Sequence, residues 1–167
     1  MTKVKKSAPK AVRTEARGRS TAATHATTST GQPTSTEGLD GALRALSLAL
    51  DKKALEPIML DVRQLCSFCN YQLVISGRSE RQVDAIADGI AAGLKSEGLR
   101  AISTEGARSG QWALLDFGDF VVHVFLHSVR EHYDLEGLWN DAPRIPLDVP
   151  ADARIPVDEH YETPAVP

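Results

Sequence analysis

The stretch Tyr71-Gln72-Leu73-Val74-Ile75-Ser76-Gly77-Arg78-Ser79-Glu80-Arg81-Gln82-Val83-Asp84-Ala85-Ile86-Ala87 decides the fold. Tyr71 to Ser76 form a short apolar run that Gly77 breaks, which predicts a strand ending in a turn. Ser79 and Gln82 stand at capping-box spacing, so a helix is predicted to start there. Val83, Ile86, Ala87, Ile90, Ala91 and Leu94 continue it as one apolar stripe, leaving Asp84, Asp88 and Lys95 for the surface. Gly98 is the natural C-terminal stop. A strand around Ala101 to Thr104 follows, predicting a strand–helix–strand unit with a right-handed parallel crossover.

Upstream, Leu39, Leu43, Leu46 and Leu50 recur at helical spacing beside Ala42 and Ala49, so residues 38–53 read as an amphipathic helix. Pro57 separates it from a strand, Ile58 to Val62. Downstream lies a loop with Gly106 and Gly110, then a strand from Trp112 to Leu115. The turn Asp116-Phe117-Gly118-Asp119 leads into a strand from Phe120 to Leu126, a hairpin pattern. Phe120, Val122 and Val124 make one face of that strand apolar, and Val121 and Phe125 the other. Such a strand belongs in the middle of a sheet covered on both sides. Short helical turns are expected at Val129 to Tyr133 and Leu135 to Trp139. The fold class is therefore α+β, one mixed sheet flanked by helices, over about residues 38–147, with no internal repeat.

The flanks differ in composition from this body. Residues 1–37 carry a net charge of +5, residues 38–147 carry −4, and residues 148–167 carry −4. The first segment, rich in Ser, Thr and Ala, reads as a disordered basic tail or a transit peptide; its Gly, Pro and Thr content opposes an amphipathic helix. The last segment is punctuated by Pro150, Pro156, Pro164 and Pro167 and reads as an extended acidic tail. No apolar run approaches the roughly 18 residues a membrane span needs. There is no secretory signal, so a reducing compartment is expected, the cytoplasm or an organelle matrix.

Several patterns imitate chemistry. Cys66-Ser67-Phe68-Cys69 with His127 and His132 has the residue types of a zinc set, but 57 residues separate the pairs, against about 12 to 15 in a zinc finger. No metal is expected, and the cysteines read as buried apolar side chains. Asp116-Phe117-Gly118 spells the magnesium triplet of protein kinases without the Gly-rich loop, strand lysine or catalytic loop a kinase needs. Ser76 to Ser79 stand where free helix N–H groups can hold an anion, though capping alone accounts for Ser79. His123, inside an apolar strand, reads as a hydrogen-bonded core residue. Trp112 differs in kind, because its alternation partners are Leu114 and Asp116. That face is either a partly exposed protein-binding surface, with Phe117 projecting at the turn tip, or core cover.

These stretches in their order resemble the ribosomal silencing factor family, also called RsfS or Iojap-like. The resemblance is carried by the helix at 39–50, Leu60-Asp61-Val62, Tyr71 to Val74, Gly77-Arg78-Ser79-Glu80-Arg81-Gln82-Val83 and Ala85-Ile86-Ala87-Asp88. It continues through Glu105-Gly106, Trp112 to Asp119, Val121 to Phe125, Arg130-Glu131, Tyr133 to Glu136 and Leu138-Trp139. It covers about residues 39–145. It implies a nucleotidyltransferase-like fold without catalytic acids and no cofactor. It also implies docking on the large ribosomal subunit through ribosomal protein L-fourteen, which sterically blocks subunit joining and lowers translation under nutrient limitation. The implied contact surface centres on Trp112 and Phe117, with Leu114, Asp116 and Tyr133 as neighbours. Two positions depart from the family pattern: Cys69-Asn70 replaces Thr-Asp, and Phe117 replaces Tyr or Leu. The basic tail is placed for incidental contact with ribosomal RNA. Monomer and homodimer both fit the sequence. The alternative function is a magnesium-dependent nucleotidyltransferase-like enzyme using Ser76 to Ser79 as a phosphate cradle, but the adjoining strands offer no paired acids.

Overall fold

The computed structural model describes residues 38–106 and 109–155, so the N-terminal segment 1–37 and the final residues 156–167 lie outside the described residues. Every residue of strand β2 (Tyr71–Gly77) is buried, as its apolar run demands of a strand covered on both faces. Helix α2 (Glu80–Ser96) begins where the capping box predicts, with Ser79 Oγ accepting from the Gln82 N–H at 3.2 Å. It ends in a Schellman motif: the Leu99 N–H reaches the Leu94 carbonyl at 2.9 Å and the Gly98 N–H the Lys95 carbonyl at 3.1 Å. Gly98 takes φ +91, which the motif requires.

Gln82 does more than close its own helix. Its Oε1 accepts from the Arg78 N–H at 2.8 Å, one residue before the N-cap. Its Nε2 donates to the carbonyls of Lys52 and Lys53 at 3.1 and 2.9 Å. Those carbonyls lie just past helix α1 (Leu39–Asp51), so one side chain ties the start of α2 to the end of α1. Gln82→Glu keeps an acceptor for Arg78 but puts a carboxylate against two carbonyls. It is expected to lower stability by about 1 kcal/mol, despite the favourable charge at a helix N-terminus. An unchanged urea midpoint in that variant would show that the tie carries no energy.

The other elements are β1 (Leu55–Asp61), β3 (Ser103–Glu105), β4 (Trp112–Asp116), β5 (Phe120–Leu126), α3 (His127–Tyr133), α4 (Leu135–Leu138) and β6 (Arg144–Ile145). The described residues build one six-stranded mixed sheet in the order β3-β4-β5-β2-β1-β6. β2 and β5 pair in parallel, and every other neighbouring pair is antiparallel. β2 and β3 run in one direction across α2, as the strand–helix–strand reading requires, but the β4–β5 hairpin is inserted between them.

One face of the sheet is closed. Val83, Ile86, Ala87, Ile90 and Leu94 of α2, with Ala42, Ala45, Leu46 and Ala49 of α1, pack over Leu73, Ile75, Leu115, Val122 and Val124. The contact stripe of α1 therefore centres on Ala42, Ala45, Leu46 and Ala49, with Leu39 and Leu50 of the predicted leucine series packed at its margins. Small side chains let the helix lie close to the sheet, and Leu43 is left exposed.

β1 opens on a bulge between Leu55 and Ile58, where Pro57 has no N–H to lose and Glu56 adopts φ +47. That strained residue is held from both sides: its carbonyl accepts from Arg130 Nη1 at 2.7 Å, and its carboxylate accepts from the Ile155 N–H. The Pro-rich segment read as an extended tail from residue 148 is thus packed through its first part. Residues 151–153 form a 3-10 turn against β1, with Ala153 buried, and the body extends to residue 155. No helix among the described residues is long and apolar enough to cross a membrane.

Candidate functional site

The second face of the sheet is built differently. Leu60, Val62, Cys69, Val74, Val121, Phe125 and Ala142 are buried on it, but Trp112, Leu114, Cys66, Val129, Leu135 and Trp139 are only partly covered. In place of long helices it carries the loop 62–70, the seven-residue α3 and the four-residue α4. Exposed Phe68, Tyr133 and Leu138 lie on those short segments, at 68%, 51% and 74% of their full accessibility.

Alternation along β4 sends Ala113 and Leu115 into the closed core and Trp112, Leu114 and Asp116 to this second face. Antiparallel register sets Trp112 opposite Phe125, Leu114 opposite His123 and Asp116 opposite Val121. The Trp112 ring stacks on Phe125 with centroids 5.0 Å apart and meets the Tyr133 ring at 4.8 Å. Its indole N–H donates to His123 Nδ1 at 3.2 Å. Indole nitrogen only donates, so Nδ1 must be unprotonated and His123 carries its proton on Nε2. The result is an aromatic patch whose outer edge faces solvent and whose inner edge is locked.

Burial pushes His123 down to about 4. Its folded pKa lies below the unfolded value of about 6.5, so the stability it contributes is intact above about 6.5 and is lost as pH falls towards 4. Between pH 7 and pH 5 this group alone is expected to remove about 2 kcal/mol, and protonation of Nδ1 also breaks the tryptophan hydrogen bond. His123→Gln should flatten that part of the pH profile of urea unfolding. An identical loss in wild type and variant would place the effect elsewhere.

Of the five residues read as contact candidates, Trp112, Leu114 and Tyr133 come together on this face. Asp116 sits at its end, half-buried, with Oδ1 accepting from the Gly118 N–H at 2.8 Å. Phe117 does not project, which corrects the reading of it as an exposed turn tip. It is 6% exposed, stacks on Phe120 at 4.8 Å and belongs to the closed core on the other side of the sheet. The Asp116 side chain caps the turn and Gly118 takes φ +87, which directs the intervening ring inward.

The strand-to-helix junction at residues 76–79 is occupied by its own side chains. Ser76 is fully buried and its Oγ accepts from Arg130 Nη1 at 2.9 Å, while Gln82 takes the Arg78 N–H. No group of three or more His, Cys, Asp or Glu among the described residues is arranged to hold a metal ion. Arg130 is the residue whose importance sequence reasoning missed. Its guanidinium, buried beside β2, reaches Glu136 at 2.6 Å as well as Glu56 and Ser76. The helical spacing of 127–133 gives no hint of those partners. Phe68 was equally hidden, because an aromatic in an irregular Cys-Ser-Phe-Cys loop has no periodicity that reports exposure.

The family model described as ribosomal silencing factor during starvation matches residues 34–165. The chain belongs to the ribosomal silencing factor family. It is 42% identical over 95 residues to ribosomal silencing factor RsfS of Chromobacterium violaceum, covering 57% of this chain and 78% of the relative. It is 40% identical over 98 residues to that of Bacillus subtilis, covering 59% and 83%. A crystal structure of a Chromobacterium violaceum protein superposes with a TM-score of 0.61 at 37% identity, covering 69% of this chain and 95% of the other. The two bacterial relatives carry names of regulatory factors acting on ribosomes, and the mixed α+β sheet is shared with the solved structure.

Proposed function

We propose that this silencing factor docks on the large ribosomal subunit through ribosomal protein L-fourteen. Held there, it sterically blocks joining of the small subunit and lowers translation when nutrients are short. The observation that carries the reading is Trp112: an indole locked by Phe125, Tyr133 and His123 on a sheet face that the protein's own helices leave partly uncovered. Pre-positioned aromatic anchors of this kind concentrate binding energy at protein interfaces, because little side-chain entropy remains to be lost. Leu114 and Tyr133 extend the apolar centre. Asp116 at the end of the face, with exposed Asp119 in the adjoining turn and exposed Glu131 and Asp134 near Tyr133 in the chain, supplies negative charge suited to a basic ribosomal protein and to fast encounter. Phe117 contributes from below, by setting the turn that carries Asp116.

The factor acts by occupancy in the cytoplasm, with no cofactor and no catalytic step. Against the enzyme alternative stands the engagement of Ser76 Oγ and the Arg78 N–H within the chain. Gradient sedimentation of purified subunits tests the proposal. The protein is expected to travel with the large subunit alone and to reduce the joined-subunit peak at stoichiometric addition. Failure to co-sediment, or co-sedimentation with undiminished joining, would sink it.

A further inference from the structure

The departure at Cys69-Asn70 leaves this chain with two cysteines in one loop, and the fold brings their sulfurs into contact. Cys66 Sγ and Cys69 Sγ lie 3.8 Å apart, both thiols are free, and the segment between them is neither helix nor strand. A disulfide needs the sulfurs at about 2.0 Å, so closure asks for a shift of under roughly 2 Å in a loop whose Ser67 and Phe68 are exposed and unconstrained by packing. Cys66 is partly exposed and Cys69 buried, so the two thiols differ in access. We propose that Cys66 and Cys69 are a reversible dithiol–disulfide site, closed by exchange with a low-molecular-weight disulfide.

The order of events follows from access. The Cys66 thiolate attacks one sulfur of the small disulfide; that S–S bond breaks, and one small thiol leaves with the proton Cys66 gave up. Cys69 then loses its proton and attacks Cys66 Sγ, which breaks the mixed disulfide and releases the second small thiol. Two protein thiols are oxidised, one small disulfide is reduced to two thiols, and two protons pass to the products. Burial, with Cys66 and the Asp116 carboxylate nearby, pushes the Cys69 thiol up to about 12, which keeps it from attacking outside reagents first. The Gln72 side-chain amide, 3.9 Å from Cys69 Sγ, opposes that shift by donating to the sulfur. The site does not depend on the docking reading.

The full chain incubated in graded mixtures of reduced and oxidised glutathione, quenched with acid and alkylated, reports the outcome by intact mass. Wild type is expected to lose both thiols together, giving a product two hydrogens lighter with no retained glutathione, and to recover them on return to reduced glutathione. Cys69→Ser should stop at a glutathione adduct on Cys66, whereas Cys66→Ser should stay unmodified. The native chain should close at a reduced-to-oxidised ratio at least ~10-fold more reducing than the same chain in denaturant, because the fold holds the sulfurs together. The proposal is overturned if wild type accumulates the adduct or an intermolecular dimer. It is equally overturned if native and denatured chains close at the same ratio.

Discussion

Trp112→Ala is expected to weaken binding to the large ribosomal subunit by at least ~2 kcal/mol, roughly a 30-fold rise in Kd. The truncation removes the ring that stacks on Phe125 and meets Tyr133, and it leaves the buried Nδ1 of His123 without its donor. Part of the effect is therefore lost preorganisation. Trp112→Phe helps to separate the two contributions, because it keeps a smaller aromatic ring over Phe125 and loses the N–H that reaches His123. We expect its affinity to fall between wild type and the alanine variant. Sedimentation or light scattering gives the affinities, and circular dichroism checks that each variant is folded. A loss under ~1 kcal/mol in a folded Trp112→Ala protein would move the docking surface away from β4.

Arg130→Met is expected to cost about 3–5 kcal/mol of folding stability, the largest effect of any single substitution considered. The guanidinium joins four separate pieces of chain: its own helix α3, Glu136 on α4, Ser76 at the end of β2 and the Glu56 carbonyl at the β1 bulge. Removing it leaves the Glu136 carboxylate largely out of water without a counter-charge and strips a buried hydroxyl and a strained carbonyl of their donor. Glu136→Leu in the same chain should return part of the loss by deleting the orphaned charge, since replacing both members of a buried pair costs less than breaking it. An unfolding free energy from urea titration lowered by less than ~1 kcal/mol in Arg130→Met would mean that the network is ornamental. A double variant no better than the single would mean that the cost lies at Ser76 and Glu56.

These two residues also mark the limit of what the chain discloses. The β2–α2 segment is legible because strand run, glycine break, capping box and helical stripe agree over Tyr71 to Gly98, each a local signal. The hairpin at Trp112 to Leu126 and its central position are legible for the same reason: β5 is apolar on both faces, and only a doubly covered strand tolerates that. Strand order is not legible, since nothing local says that β4 and β5 slip between β2 and β3. Phe117 is misread because a turn tip favours exposure on average, and its inward direction depends on the Asp116 cap and the Gly118 conformation together. Of the α1 leucines only Leu43 misleads, because the helix approaches the sheet on Ala42, Ala45, Leu46 and Ala49. β6 and the 151–153 turn are too short to carry a pattern. The partners of Arg130 lie up to 74 residues away, so only the folded chain reveals them. On the second face of the sheet, alternation places Trp112, Leu114 and Asp116 together, but Tyr133 joins them through a helix whose placement no periodicity predicts. The ribosome comes from family likeness and not from composition.

The parallel pairing of β2 with β5 has a temporal consequence. Tyr71 waits for Phe120, and the Trp112 ring acquires its seat only when Phe125 and then Tyr133 have been added. Pairings this distant along a chain form slowly and late. A nascent chain cut short before Tyr133 therefore carries the tryptophan without the surface that presents it. On the proposed docking, a premature product would compete poorly with the finished factor, because it lacks the seat of Trp112.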